Sequence, residues 1–557
     1  TNRTYGSLAL SEASNTNYNL RAQINWSPRF GDVHSLQALA GAELRGLTAK
    51  STFAKLYGYD PETGSYTTPI YPEGTKIDYA RLQAYANDRD QLAGRGITQE
   101  AFASFYFSST YSYHSKYIAS LTARIDGSSN FGSKEQFNPT GSLGLGWNVD
   151  RESFFESLRP VLSSLTVRTA IGYTGNINKS VYPQLIINYR NSQRVADDAY
   201  YRMGYIKDTP NPHLRWEKTR DAKIAIEAGF LKERFRLTAE LYDRYTTDAV
   251  SSALVPRTTG FAYQTYNTST LRNQGIELQL YGRLLKLHDW TLTAMANVAY
   301  NHNVLLRYDP PVSGLSTGLQ EGYPLGALFT GRPQGIDPIL GIYRYETRPD
   351  ARMDNAADRA LSDHYLYYAG LRRAPWTGGY SFTLGYKAFS LSLAGSYSIG
   401  GKSMDDLNYP VTYSTLGKRV VERIPSIEND LYIHHLNGRR DVRDRWTESN
   451  PRTDAHPRII DAYGDYLGLT NYSTNSELIT RSSRLQSVSF LRLGSMTLNY
   501  SLPSDWLRKT LHVNSLSASF SMTNLFVLSS YRGLDPETPG AIYPQPRTYS
   551  LGLSVGL

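Results

Sequence analysis

Three short stretches carry the spelling of chemistry. Gly314-Leu315-Ser316-Thr317-Gly318 matches G-x-S-x-G, the strained turn that thrusts a nucleophilic serine out between a strand and a helix. Here Asp309-Pro310-Pro311 precedes it and Glu321-Gly322-Tyr323-Pro324 follows. Both flanks are therefore loop, and the geometry that would activate the serine is not encoded. His434-His435 offers two imidazoles, but adjacent residues of an extended chain face opposite sides and no third ligand stands nearby, so no metal site is expected. Gly141-Ser142-Leu143-Gly144-Leu145-Gly146 has the glycine density of a phosphate loop, yet its leucines alternate to one side and no helix follows directly. No catalytic residue, metal ligand or cofactor-binding residue is assigned, no cofactor is expected, and an enzyme is the least supported class.

A second set of residues suits recognition rather than reaction. Arg21, Arg124, Arg168, Glu227, Glu240 and Glu277 fall on the polar side of alternating segments. Charges in that position line a solute path or dock another part of the protein. Docking and plain solvation are the simpler accounts, so the substrate-binding residues are left unknown. The net charge of +9 is scattered along the 557 residues. Its densest cluster, Arg439-Arg440-Asp441-Val442-Arg443-Asp444-Arg445, is interleaved with acids, which argues against a nucleic-acid partner. Cysteine is absent, which excludes disulfides and thiolate metal sites. Tyrosine is unusually frequent, at 44 residues against 18 Phe and 7 Trp. Its ring is apolar and its hydroxyl wet, which suits a membrane interface.

The elements that must hold these residues are strands. Apolar and small or polar residues alternate with period two over roughly ten residues at a time, and a turn or loop then follows. Tyr117, Ala119, Leu121, Ala123 and Ile125 oppose Ser120, Thr122, Arg124 and Asp126. Trp290, Leu292, Ala294, Ala296, Val298 and Tyr300 oppose Thr291, Thr293 and Asn297, and Tyr549, Leu551, Leu553, Val555 and Leu557 oppose Thr548, Ser550, Gly552, Ser554 and Gly556. About fifteen such segments are predicted, near 20–27, 35–45, 102–113, 116–126, 140–148, 165–173, 222–231, 235–246, 275–284, 290–301, 380–387, 389–398, 488–500, 515–526 and 549–557. Their connections alternate between short (28–34, 114–115, 149–164, 232–234, 285–289, 388, 501–514) and long (46–101, 127–139, 174–221, 247–274, 302–379, 399–487, 527–548). That parity is the mark of an all-β, transmembrane antiparallel β-barrel, with short periplasmic turns and long extracellular loops. It places the C-terminus in the periplasm. An open sheet of about fifteen strands would leave unpaired edges in lipid, so further strands are expected before Thr1, with Tyr5–Leu10 as the tail of one.

Nine stretches, in order, resemble the SusC-like (SusC/RagA) TonB-dependent transporters of the Bacteroidetes outer membrane. They are Asp126-Gly127-Ser128-Ser129-Asn130-Phe131-Gly132, Gly172-Tyr173-Thr174-Gly175-Asn176, and Asn211-Pro212-His213-Leu214-Arg215-Trp216-Glu217-Lys218-Thr219. Asn273-Gln274-Gly275-Ile276-Glu277-Leu278 follows, then Asp444-Arg445-Trp446-Thr447 with Asn450-Pro451 and Pro457-Arg458, and Leu491-Arg492-Leu493. Thr523-Asn524-Leu525-Phe526, Tyr531-Arg532-Gly533-Leu534-Asp535-Pro536-Glu537 and Arg547-Thr548 complete the series. The resemblance implies a barrel of about 22 strands around an N-terminal plug. Residues 1–557 would be its C-terminal portion, with the plug and first strands outside this chain. It further implies import of an oligosaccharide or peptide driven through TonB, under a SusD-like surface lipoprotein, in the cell outer membrane. Leu557 departs from the aromatic residue that commonly ends such barrels. A passive porin and a structural, scaffolding barrel of an outer-membrane assembly complex are the rival readings.

Overall fold

In the computed structural model, the residues described are 6–65, 93–129, 131, 136–176, 185–191, 202–208, 211, 213–308, 318–339, 341, 343–351, 362–404, 446–451, 485–502, 513–541 and 543–556. Fifteen long strands dominate: β1 (Gly6–Trp26), β2 (His34–Tyr59), β3 (Ala93–Tyr113), β4 (Tyr117–Ser128), β5 (Phe137–Asn148), β6 (Leu162–Asn176), β7 (Glu217–Phe230), β8 (Phe235–Leu254), β9 (Tyr263–Leu287), β10 (Trp290–Arg307), β11 (Trp376–Tyr386), β12 (Phe389–Ile399), β13 (Phe490–Ser501), β14 (Ser515–Ser529) and β15 (Thr548–Gly556). They hydrogen-bond in chain order. All fifteen predicted segments are present. Most run longer than predicted, and two expectations need correction. Leu8, Ala9 and Leu10 do not end a preceding strand but belong to β1, which is continuous from Gly6. Trp376 is not a loop residue: it opens β11, its ring 4.6 Å from Tyr300.

The chain forms two compact units, residues 1–145, 170–221 and 246–268 in one and residues 146–169, 222–245 and 269–557 in the other. In the first, β1 to β4 pair antiparallel in unbroken register below Ser7. The turns 27–33 and 114–116 lie at one end, while β2 ends at Tyr59 and β3 begins at Ala93 at the other. His114 and Ser115 both take positive φ, 52° and 53°, which gives a two-residue hairpin turn closed by Lys116 N donating to Tyr113 O at 2.9 Å. One face of this sheet is apolar, with Ala22, Ala42, Phe105 and Ile125 in one cross-strand row and Ile24, Ala40, Phe107 and Ala123 in the next. Ile24 is 76% exposed, so no protein covers this face among the described residues.

The second unit repeats the design with clearer bands. Leu292, Leu384, Leu391, Leu498, Phe520 and Leu551 are cross-strand partners from β10 to β15. The row beside it is all hydroxyl: Thr293, Thr383, Ser392, Thr497, Ser521 and Ser550. Because side chains alternate across the pleat, the two rows point to opposite faces. At the turn end Trp290, Tyr386, Phe389 and Tyr500 form an aromatic band, paired 4.3 Å (Trp290–Tyr386) and 4.4 Å (Phe389–Tyr500) between centroids. The connections 308–375 and 400–489 leave the opposite end of this unit, as the loop-length parity predicts. Within the first of these, Ala327–Gly331 pairs Leu366–Leu371 and Pro333–Ile336 pairs Tyr343–Tyr345, with Phe329, Tyr345 and Leu366 buried together. Trp446, also buried, donates its Nε1 to Pro338 O at 3.0 Å.

Candidate functional site

The polar face of the first unit holds the densest set of side chains suited to recognition. Antiparallel register sets Arg21, Glu43, Ser104 and Asp126 in one row and Gln23, Gly41, Tyr106 and Arg124 in the next. Arg21 Nη2 donates to Glu43 Oε2 at 2.8 Å. Arg124 Nε donates to both Asp126 oxygens, at 2.6 and 2.8 Å, and its Nη2 donates to Ser104 Oγ at 2.9 Å. Ser104 Oγ in turn donates a hydrogen bond to Asp126 Oδ1 at 2.5 Å. Tyr106 lies between the two arginines, 5.8 Å from Arg21 and 5.7 Å from Arg124. It has room because residue 41 is glycine: a Cβ there would stand 2.5 Å from the ring.

Above this face is a cavity of about 190 Å³ lined by Glu43, Arg45, Phe102, Ser104, Arg124, Asp126 and Trp216. Trp216 precedes β7 and is buried by Phe131, stacked at 4.7 Å, and by Leu214 and Val250. Its neighbours are pinned by polar contacts. Asn176 Nδ2 donates to Glu217 Oε2 at 2.7 Å, Val250 N donates to Glu217 Oε1 at 2.9 Å, and Arg215 meets Asp248 at 2.6 Å. Three of the motif stretches, 126–132, 172–176 and 211–219, thus converge on one place.

A second convergence lies in the other unit. Arg492 of β13, nearly buried, donates from Nη2 to both oxygens of Asp535 at 2.6 and 2.7 Å and from Nη1 to Asn524 of β14. Glu537 Oε2 stands 2.9 Å from Nε, out of line for a hydrogen bond. Asn524 has positive φ, 58°, and its Nδ2 donates to Gln545 O at 2.9 Å. The cluster clamps the connection 530–547 onto β13 and β14, so it is structural.

The six charges singled out from sequence separate as follows. Arg124 lines the cavity, and Arg21 pairs with Glu43, which does. Arg168 pairs with Glu227 at 2.7 Å and Glu240 approaches Lys223 at 3.8 Å in the second unit, while Glu277 is exposed on β9 opposite Ala299. Sequence reasoning missed Glu43, Arg45, Phe102, Tyr106 and Trp216. The signal for Glu43 was its place across the hairpin from Arg21. Residues 314–317 and His434-His435 lie outside the described residues, and no group of His, Cys, Asp and Glu among the described residues is arranged to hold a metal ion.

The polar face thus offers charged, hydroxyl and aromatic side chains that can hydrogen-bond or stack with a hydrophilic molecule. The TonB-dependent receptor SusC of Bacteroides thetaiotaomicron is 26% identical over 514 residues, which span 87% of this chain and 46% of that protein. TonB-dependent receptor P3 of Formosa agariphila is 24% identical across 96% of this chain and 51% of its own length. The chain thus spans about half the length of the curated relatives it matches. Solved structures of the RagAB peptide transporter, and of the RagAB peptide importer in its open-open state, superpose with TM-scores of 0.77 and 0.78 at 21% identity. Each covers 99% of this chain and 56% of the other, and they show the same all-β fold. Residues 1–416 match the family described as TonB dependent receptor-like, beta-barrel, and the chain belongs to that family.

Proposed function

We propose that this chain is the barrel portion of a TonB-dependent transporter that imports a nutrient, an oligosaccharide or a peptide, across the outer membrane. The remainder of the protein would supply the plug and the segment that contacts TonB, and a SusD-like lipoprotein would cover the long connections. The observation that carries this reading is the two-faced sheet, in which rows of leucine and aromatic side chains lack protein cover among the described residues and the alternate rows are hydroxyls and matched ion pairs. Exposed apolar bands on this scale call for lipid. Matched charges wet the other face without giving it a strong net potential, so a polar solute can pass without being trapped. Family membership and the RagAB peptide importer, whose name states its cargo, support the direction of transport. The chief alternative is a passive porin.

Conductance separates the two. Full-length protein reconstituted in planar bilayers is expected to show no steady ohmic current, because the plug fills the lumen. A persistent open channel would overturn the import reading in favour of the porin.

A further inference from the structure

The connection from β5 to β6, residues 149–161, is long for the turn end of the second unit, where the turns 231–234, 288–289 and 387–388 are tight. Its course is set by the last residues of β5. Asn148 Oδ1 accepts a hydrogen bond from the Thr166 hydroxyl at 3.3 Å. Thr166 shares a face of β6 with Arg168, whose guanidinium pairs with Glu227, so this is the polar side of the sheet. Trp147, one residue before Asn148, therefore lies on the apolar side. Its indole N–H donates to Glu152 Oε1 at 3.2 Å, which ties the connection to that side.

The segment is braced along its length. Two 3-10 turns, Val149–Arg151 and Ser153–Ser157, bury Val149 and Phe155. Arg159 Nη2 donates to Asp150 O at 3.3 Å, Leu162 N donates to Leu158 O at 2.8 Å, and Leu231 N of the next turn donates to Val161 O at 2.8 Å. On this frame Phe154, Leu158, Val161 and Leu231 remain 57%, 48%, 62% and 48% exposed. An uncovered apolar set of this kind marks a contact with lipid or protein. Its position favours lipid. It adjoins the apolar side through Trp147, and it lies at the end of the unit where Trp290, Tyr386, Phe389 and Tyr500 form their band, the level at which such rings meet headgroups. The charges on the segment, Asp150, Arg151, Glu156 and Arg159, are balanced in sign, so burial of the apolar groups is the attraction it offers.

We propose that residues 149–161 form an interfacial foot, whose Phe154, Leu158 and Val161, together with Leu231, enter the headgroup–acyl boundary of the inner leaflet. The partner is the phospholipid surface itself, and the foot fixes the height of the barrel in the bilayer at its turn end. The inference rests on the membrane-barrel reading and not on TonB-driven transport.

The test uses full-length protein in vesicles of phosphatidylethanolamine and phosphatidylglycerol, with nitroxide labels on single introduced cysteines, since residues 1–557 contain none. Depth is read by electron paramagnetic resonance from collisions with oxygen and with a water-soluble nickel chelate. F154C and L158C are expected to hold the label about 5–10 Å inside the headgroup boundary, and E156C to hold it on the water side. L498C, in the leucine row of β13, is the control for the barrel and is expected to read deep in the acyl region. Labels at 154 and 158 as open to nickel as the label at 156, with 498 deep in lipid, would overturn the foot alone and leave the patch to a periplasmic protein. A label at 498 in water would overturn the foot together with the barrel reading beneath it.

Discussion

Asp535 and Arg492 show how much a single buried pair can hold. Their side chains are 4% and 7% exposed, so removing Asp535 leaves the buried guanidinium with Glu537 alone as its charge partner. Asp535→Asn is expected to cost about 3–5 kcal/mol. The first sign would be a new protease cut between residues 530 and 547, the connection that the pair fastens. R492M/D535L, which removes both charges, is expected to recover part of that loss, because an apolar pair leaves nothing unpaired. Glu233, in the turn between β7 and β8, gives a pH handle. The Ser164 hydroxyl donates to it at 2.7 Å and Arg236 lies 2.6 Å away, and together they hold its carboxyl below the usual carboxylate range against the opposing effect of burial. A carboxyl held low in the folded chain stabilises above the unfolded value of about 4.3 and loses that contribution as pH falls through the folded value. Melting temperature is therefore expected to drop from pH 6 to pH 3, with a smaller drop in Glu233→Gln. An equal drop in both would remove Glu233 from the account.

The strands make a sharper prediction, since neighbouring residues on β13 face different media. Leu498 sits in the leucine row and Thr497 in the hydroxyl row. Leu498→Arg is expected to destabilise the barrel by about 2–4 kcal/mol, as arginine does on the lipid face at mid-membrane. Thr497→Arg is expected to be tolerated, and urea titration of folded protein in vesicles measures both. The reverse outcome would invert the register. This alternation was legible in the sequence because each face of a membrane strand meets one medium for its whole width. Strand ends were legible only in part. β1 was expected from residue 20 but begins at Gly6, because Ser11-Glu12-Ala13-Ser14-Asn15-Thr16-Asn17 is polar on both faces and carries no period. The site was harder still. Arg21 and Arg124 stood out as charges on the polar side of alternating segments, but their partners depend on register, and Trp216 reaches Phe131 through a loop with no periodic signal. The motif stretches were readable as strings, and what they build became visible only once folded.

At the scale of the whole molecule, the packed connection 318–371 and the exposed Tyr368 at its rim offer a firm platform at one end of the second unit. Tyr409, Tyr413 and Tyr432 of the long connection 399–487 lie outside the described residues. Gentle detergent extraction of the native protein is expected to bring a surface lipoprotein with it, seen as a second mass in native mass spectrometry. A barrel that purifies alone under every mild condition would remove the lid from the mechanism. The central claim, energy-driven import, is tested most directly by uptake. Cells carrying the full-length gene and a deletion strain would be compared for depletion of a mixed pool of labelled oligosaccharides and peptides, with and without a protonophore. The account predicts that at least one solute class disappears from the medium only when the gene is present and the proton gradient intact. Gene-dependent uptake that persists undiminished after the gradient is collapsed would contradict it.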